Sequence, residues 1–169
     1  MNRKQKTSRP SFQRKILAFT LALAIGGALS SLFTWDEKPV YEVFSVQDIF
    51  FHNIGLAAIV VLVGHYVAGA FFLVNMGYLG FALVGSLISA GAMQTMRLTI
   101  IHVPLEISAW LLFWVASEHM SEFYSKALQT LRVFELSSIL NAIRFAGLGT
   151  ALLLLAALAE WAELRLLLT

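Results

Sequence analysis

The stretch from Ile54 to Met96 contains no Asp, Glu, Lys or Arg, and this feature restricts the fold of the chain more than any other. A single helix of that length would be about twice as long as the ~30 Å hydrocarbon core of a bilayer is thick. The stretch therefore predicts two membrane spans joined by a turn. The composition agrees, because 59% of the residues are hydrophobic and only 13% are charged, whereas soluble domains carry about 25% charged residues.

We place the predicted turn within "NMGYLG", since Asn75 and Gly77 are residue types that accept tight turns. Residues 117–143 are mixed and amphipathic, and their apolar side chains at helical spacing predict an interfacial helix. The predicted spans cover residues 16–33, 51–74, 76–95, 100–116 and 144–162. The expected fold class is all-α: a polytopic membrane helix bundle of about five transmembrane helices plus the interfacial helix, with residues 16–169 forming one domain.

Residues 1–15 form a basic, polar head that we expect to stay solvated in the cytoplasm. A cleavable signal peptide is the alternative for the apolar run that follows, because a basic start and small residues at Ala28 and Ser30 also fit that pattern. Retention as the first span is favoured because the apolar run continues to Phe33.

The placement of Lys and Arg predicts the orientation of the spans. With a cytoplasmic N-terminus, nine of the 12 basic residues fall on the cytoplasmic side, and Lys38, Arg97 and Arg165 fall outside. Because positive residues accumulate on the cytoplasmic side, we expect a multi-pass protein with its N-terminus in the cytoplasm and its C-terminus outside.

His102 and Glu106 are an ionisable pair inside the apolar stretch "IIHVPLEISAWLLFW". Their spacing puts both side chains on one face of a helix, at a depth where an unpaired charge is costly. Three interpretations stay open. The imidazole and carboxyl are structural and hydrogen-bond to each other or to polar groups at similar depth, such as Asn53 and Ser89; they are part of a proton or substrate path; or, with His65 added, they form a 2-His-1-carboxylate metal site. Nothing in the sequence shows that His65 reaches the other two, so we predict no metal and no other cofactor.

Two further sets of residues are candidates. The intramembrane polar candidates are His102, Glu106, Asn75, His65 and Asn53. The residues predicted to serve helix packing or turns are Gly64, Gly69, Gly77, Gly80, Gly85 and Pro104. Pro104 cannot donate to the carbonyl of Ile100 and is expected to leave that group free near His102.

The order of these residues resembles a known family. The pattern consists of Asn53 in "FFHNIGLAA", Gly64 and Gly69, Asn75 with Gly80 five positions later, and His102 with Glu106. It is similar to the stage II sporulation protein M family of bacterial integral membrane proteins, over residues 45–160. Two positions depart from it: Met76 and Val103 stand where the family usually has a glycine directly after the Asn and the His.

The resemblance implies a multi-spanning protein of the bacterial cytoplasmic membrane without a catalytic activity of its own. The family's namesake resembles an anchor for peptidoglycan hydrolases during engulfment in sporulation. Other relatives lie in circular-bacteriocin clusters beside ABC transporter subunits, where they are implicated in maturation, export or immunity. We therefore expect a scaffold or accessory subunit that sits in the lipid bilayer with other membrane proteins as partners; a homo-oligomer is a further option, and no nucleic acid is expected.

An enzyme is not expected, because the sequence contains no nucleophile elbow, phosphate loop or zinc protease motif. The alternative function is a transporter or permease with an intramembrane His/Glu path. Expected helix breaks at Asn75 and Pro104 favour this alternative, since broken helices often line transport sites.

Overall fold

The computed structural model describes residues 12–33, 45–130 and 136–168. These residues form six helices and no strand. The helices are α1 (Phe12–Ser30), α2 (Val46–Val63), α3 (His65–Ala90), α4 (Ala92–Thr99), α5 (His102–Thr130) and α6 (Leu136–Leu168). Four of them, α1, α2, α3 and α6, are long and apolar enough to cross a membrane. Helices α4 and α5 meet the same criteria only when taken together, as a broken span or a re-entrant loop with a 49° bend. The predicted class, an all-α membrane helix bundle, is confirmed.

The chain turns at Gly64, so the turn predicted at Asn75 and Gly77 is wrong. Gly64 has a φ of 113° and Gly91 has a φ of 86°, values that favour glycine because it lacks a Cβ. Each of these glycines interrupts the helical hydrogen bonding, whereas Asn75 and Gly77 continue it inside α3. The spans predicted as 51–74 and 76–95 are therefore helices 46–63 and 65–90.

Helices α2 and α3 fold back on each other across this turn. Asp48 and His52 of α2 line the same cavity as Asn75 and Tyr78 of α3, although a straight continuation would separate His52 from Tyr78 by about 40 Å. The start of α2 is fixed by Ser45, whose hydroxyl accepts a hydrogen bond from the backbone N–H of Asp48 at 3.1 Å.

Helices α5 and α6 form a long antiparallel pair. His102 at the start of α5 contacts Glu163 near the end of α6, and the ring of His119 stacks on that of Phe145. The stretch predicted as an interfacial helix is divided between them, because α5 runs on to Thr130 and α6 begins at residue 136. Residues 131–135, which include two of the apolar positions used for that prediction, lie outside the described residues.

Helix α1 runs parallel to α3 and approaches it very closely. A Cβ added at Gly26 would overlap the carbonyl oxygen of Gly77, and one added at Gly80 would overlap that of Leu23. Small residues allow this approach, and they give packing between helices that lipid does not supply. The predicted packing position Gly69 lies against the indole of Trp114 in the same way.

A core of aromatic side chains fills the middle of the bundle. Phe72, Trp110 and Phe113 are at most 1% exposed, and Phe72 and Trp110 are in ring contact, with centroids 5.3 Å apart. Large apolar side chains on the outside, such as Leu62 and Val74, are exposed. Many large apolar side chains on the outer surface are typical of a helix bundle that is covered by lipid rather than by water.

Candidate functional site

His102 pairs with Glu163 rather than with Glu106. Its Nδ1 atom donates a hydrogen bond to Oε2 of Glu163 at 2.5 Å, and the His102 and Glu163 side chains are 14% and 7% exposed. His102 and Glu106 are therefore not hydrogen-bonded to each other, and His102 instead joins α5 to α6. The tertiary fold brings a carboxylate from α6 to the first residue of α5, and this partner satisfies the imidazole instead.

Glu163 also caps the N-terminus of α5. Its second oxygen, Oε1, accepts a hydrogen bond from the backbone N–H of Ile101 at 3.0 Å. A carboxylate in this position satisfies an N–H that has no partner within the helix, and it interacts favourably with the helix dipole.

Pro104 is compatible with this cap because it lies in the first turn of α5, where its missing N–H has no helical acceptor. The break expected at Pro104 falls a little earlier, between Thr99 and His102. Ile100, the first residue of this break, closes α4 by donating its N–H to the carbonyl of Met96.

The surroundings of Glu106 differ from those of Glu163. One of its oxygens accepts a hydrogen bond from the indole N–H of Trp110 at 3.2 Å, a contact within α5 at the spacing of one helical turn. Its carboxyl group lines a cavity of about 560 Å³ between α2, α3, α5 and α6.

This cavity brings together four of the five predicted polar residues: Asn53, Asn75, His102 and Glu106. Asp48, His52, Tyr78 and Glu160 add further polar groups to its wall. Its volume lies within the range of about 300–1,000 Å³ that is usual for small-molecule sites. The cavity is the candidate functional site of the protein.

The cavity wall is acidic. Three carboxyl residues, Asp48, Glu106 and Glu160, line it, and no Lys or Arg is among the described residues that do. Glu160 is half-buried, and it makes no hydrogen bond or ion pair with another described residue, while His102, Glu106 and Glu163 act on it electrostatically. The site is thus suited to a ligand that carries positive charge or hydrogen-bond donors.

The cavity lies between one end of the bundle and its middle. His102 begins α5, Asp48 lies in the first turn of α2, and Glu160 lies close to the end of α6. From this end the cavity reaches inward to Asn75 and Met76. The fully buried rings of the aromatic core lie further along the bundle.

His65 lies at the opposite end of α3 from the cavity. As the first residue of α3, it donates its backbone N–H to the hydroxyl of Ser121 at 2.8 Å. The 2-His-1-carboxylate arrangement with His102 and Glu106 is therefore not formed. Within the described ranges, no group of three or more His, Cys, Asp or Glu side chains is placed to hold a metal ion.

A second buried ion pair lies at the end of the bundle remote from the cavity. Nζ of Lys15 in α1 contacts Oε2 of Glu118 in α5 at 2.5 Å, with the two side chains 3% and 9% exposed. The ammonium group also lies 5.5 Å from the centre of the Trp114 ring. Lys15 was predicted as part of the solvated head, and this is wrong, because α1 begins before it and carries it into the bundle; residues 1–11 lie outside the described part.

Sequence reasoning missed Glu160 and Glu163. Both lie in "ALAEWAEL", where the last predicted span ends, Glu160 inside that span and Glu163 one residue beyond it. Two carboxylates three positions apart in an apolar helix are the same signal that drew attention to His102, since ionisable groups in a span usually face the interior of a bundle. The sequence could have identified them as candidates, but not their partners.

A scan of protein families, a search of curated proteins and a search of solved structures each find no match for this chain. The resemblance to the stage II sporulation protein M family stays a prediction.

Proposed function

We propose that this protein is a non-catalytic, membrane-embedded accessory subunit that binds a positively charged group in its acidic cavity. The observation that carries the proposal is the cavity of about 560 Å³ with Asp48, Glu106 and Glu160 in its wall. A carboxylate surrounded by protein rather than water attracts a cation more strongly than an exposed one does, because the effective dielectric is lower. The bound group completes the polar contacts that Glu160 lacks among the described residues.

The cavity end faces the outside of the cytoplasmic membrane in this proposal. Arg14, Lys126 and Arg144 lie toward the end remote from the cavity, while Arg97 and Arg165 lie toward the cavity end. With Lys15 added, most of the positive charge of the described residues is at the remote end, and the positive-inside rule then favours a cytoplasmic position for that end.

The partners proposed for such a subunit are other proteins of the same membrane. The resemblance to the stage II sporulation protein M family supports a scaffold of the engulfment type, working with cell-wall hydrolases. It equally supports a subunit of the bacteriocin type, working with ABC transporter components. In both cases the cavity supplies a recognition site for a cationic group and no chemical step.

A transporter or permease is the second candidate, and the bend between α4 and α5 favours it. The 49° break between Thr99 and His102 lies at the cavity wall. Transporters often build their binding sites from broken helices of this kind. The closed aromatic core around Trp110 favours the accessory subunit, because a transporter needs a second state that opens to the other side.

A single labelling experiment tests the binding site, the orientation and the choice between the candidates. The chain contains no Cys, so Ala82→Cys introduces one thiol into the cavity wall, and Gln47→Cys introduces one at an exposed position of α2. Each variant is treated in intact cells with membrane-impermeant thiosulfonate reagents that carry either a trimethylammonium or a sulfonate group.

We expect the cavity thiol to favour the cationic reagent over the anionic one by about tenfold or more, relative to free cysteine, because field lines focus in an acidic cleft. Glu160→Gln should reduce this preference at position 82 and leave it unchanged at position 47. Equal rates for both reagents at position 82 would contradict the cation site. Labelling from the cytoplasmic side of inverted vesicles as well as from outside would favour the transporter.

A further inference from the structure

A second, smaller cavity of about 250 Å³ adjoins the acidic one. Four residues, Leu79, Ala82, His102 and Glu160, line both cavities. The two spaces therefore meet at the His102 and Glu160 side chains.

The second cavity is apolar in character. Its remaining wall is built mainly from aliphatic side chains: Leu83, Leu98, Val103 and Leu164. Ser86 and Thr99 also line it, but their hydroxyls are engaged, since Thr99 Oγ1 donates to the carbonyl of Thr95 at 2.7 Å and Ser86 Oγ lies 3.0 Å from Thr95 Oγ1. A ligand in this space is offered hydrophobic contact and few free hydrogen-bonding groups.

We infer that the ligand is an amphipathic cation: an ammonium group held beside Glu106 and Glu160 with an aliphatic chain in the second cavity. This inference rests on the proposed function and adds the chemical class of its ligand. The acidic cavity alone would take any compact cation. The apolar cavity on the far side of Glu160 adds a requirement for a hydrocarbon part, because burying apolar surface strengthens binding in proportion to its area.

The ammonium group can belong to a free aliphatic amine or to the headgroup of a membrane lipid. Both present the same chemistry to Glu106 and Glu160. The bend between α4 and α5 places Leu98 on one side of the break and Val103 on the other, so the hydrocarbon chain lies where the two helices meet.

The test uses the Ala82→Cys protein and measures how well alkyltrimethylammonium ions slow its labelling. The ions range from tetramethylammonium to hexyltrimethylammonium. Each ion is measured with the Ala82→Cys protein, which is the parent, and with two variants of that parent, Leu83→Trp and Leu98→Phe. The larger side chains of these variants fill the second cavity from different walls. Partition of the ions into detergent is the same for all three proteins, so it cancels in the comparison, and thermal unfolding identifies a variant that has not folded.

In the parent we expect protection to improve by up to about fourfold with each added methylene, the factor that corresponds to burying one CH₂. In the filled variants the gain with chain length should disappear, while tetramethylammonium protects as it does in the parent. Glu160→Gln should weaken protection by every ion. Neutral hexanol should not protect.

The two proposals fail in different ways. If tetramethylammonium gives no protection, both the cation site and its amphipathic ligand are wrong. If tetramethylammonium protects but chain length has the same effect in the parent and the filled variants, only the amphipathic ligand is wrong. Reconstitution in bilayers with and without ethanolamine headgroups separates the sources, since a lipid ligand slows labelling with no ion added and a free amine does not.

Discussion

Two ion pairs with the same 2.5 Å contact distance lie at opposite ends of this bundle, in very different surroundings. Lys15 and Glu118 join α1 to α5 and are packed beside the Trp114 ring. His102 and Glu163 join α5 to α6, and His102 lines the cavity of about 560 Å³. The first pair is enclosed by side chains, whereas the second lies beside open space and two further carboxylates.

The difference teaches which polar groups in a membrane bundle are structural. A buried pair with no room around it holds two helices in one arrangement, and losing one partner leaves the other charge without compensation. The second oxygen of Glu118, Oε1, has no hydrogen-bond partner among the described residues, so this carboxylate depends on Lys15. His102 lines the cavity, where it can contact a ligand, and the function we propose is therefore placed at this end of the bundle.

The largest effect is expected from removing one partner of the packed pair. Glu118→Leu strands the Lys15 ammonium and should destabilise the protein by about 3–5 kcal/mol. In the double variant Lys15→Met with Glu118→Leu, apolar side chains replace both charges, and most of the stability should return. Thermal unfolding in detergent measures both. A double variant as unstable as the single one would show that the loss comes from packing and not from the stranded charge.

A smaller loss of stability is expected when an alanine is enlarged to leucine, and this loss should differ between the packed core and the cavity wall. Ala68 is 0% exposed within the core, so Ala68→Leu overfills it and should cost about 1–3 kcal/mol. Ala82 lines the cavity, and Ala82→Leu should change the stability by less than about 0.5 kcal/mol, as is usual away from packed sites. The same unfolding assay compares the two. Equal losses would mean that the cavity is not open to an added side chain.

A smaller loss than that of Ala68→Leu is expected at the cavity pair. Glu163→Gln keeps an oxygen for the N–H of Ile101 and loses only the charge opposite His102, so it should cost about 0.5–1.5 kcal/mol, the size of one hydrogen bond. Glu106→Leu should leave the His102 pair intact, because Glu163 and not Glu106 is the partner. Unfolding of both variants checks this. A loss at Glu163 as large as that of Glu118→Leu would remove the distinction between the two ends.

Part of the candidate site could be predicted from the sequence, because membrane depth makes polar residues conspicuous. Asn53, Asn75, His102 and Glu106 were selected as polar residues at membrane depth, and all four line one cavity. His65 was also selected but does not line the cavity, because a position within an apolar stretch does not show which end of the bundle the residue occupies. Glu160 carried the same signal as His102 and was overlooked.

The sequence by itself determined that much of the chain lies in lipid and that its secondary structure is helical. An uncharged run from Ile54 to Met96 cannot stay in water or cross a bilayer once, so its backbone must form helices that satisfy their own hydrogen bonds within lipid. These are local and compositional constraints, and they do not depend on which helices become neighbours.

Only the tertiary structure decided where the helices break and which charges pair. Gly64 and Gly77 are both glycines in apolar surroundings, yet only Gly64 adopts a positive φ, because the fold needs its turn there while Gly77 packs against α1. Likewise, Glu106 is four residues from His102, but Glu163 is the partner, 61 residues away. Spacing along one helix fixes which side chains share a face, whereas the choice of partner depends on the neighbouring helix that packs against that face.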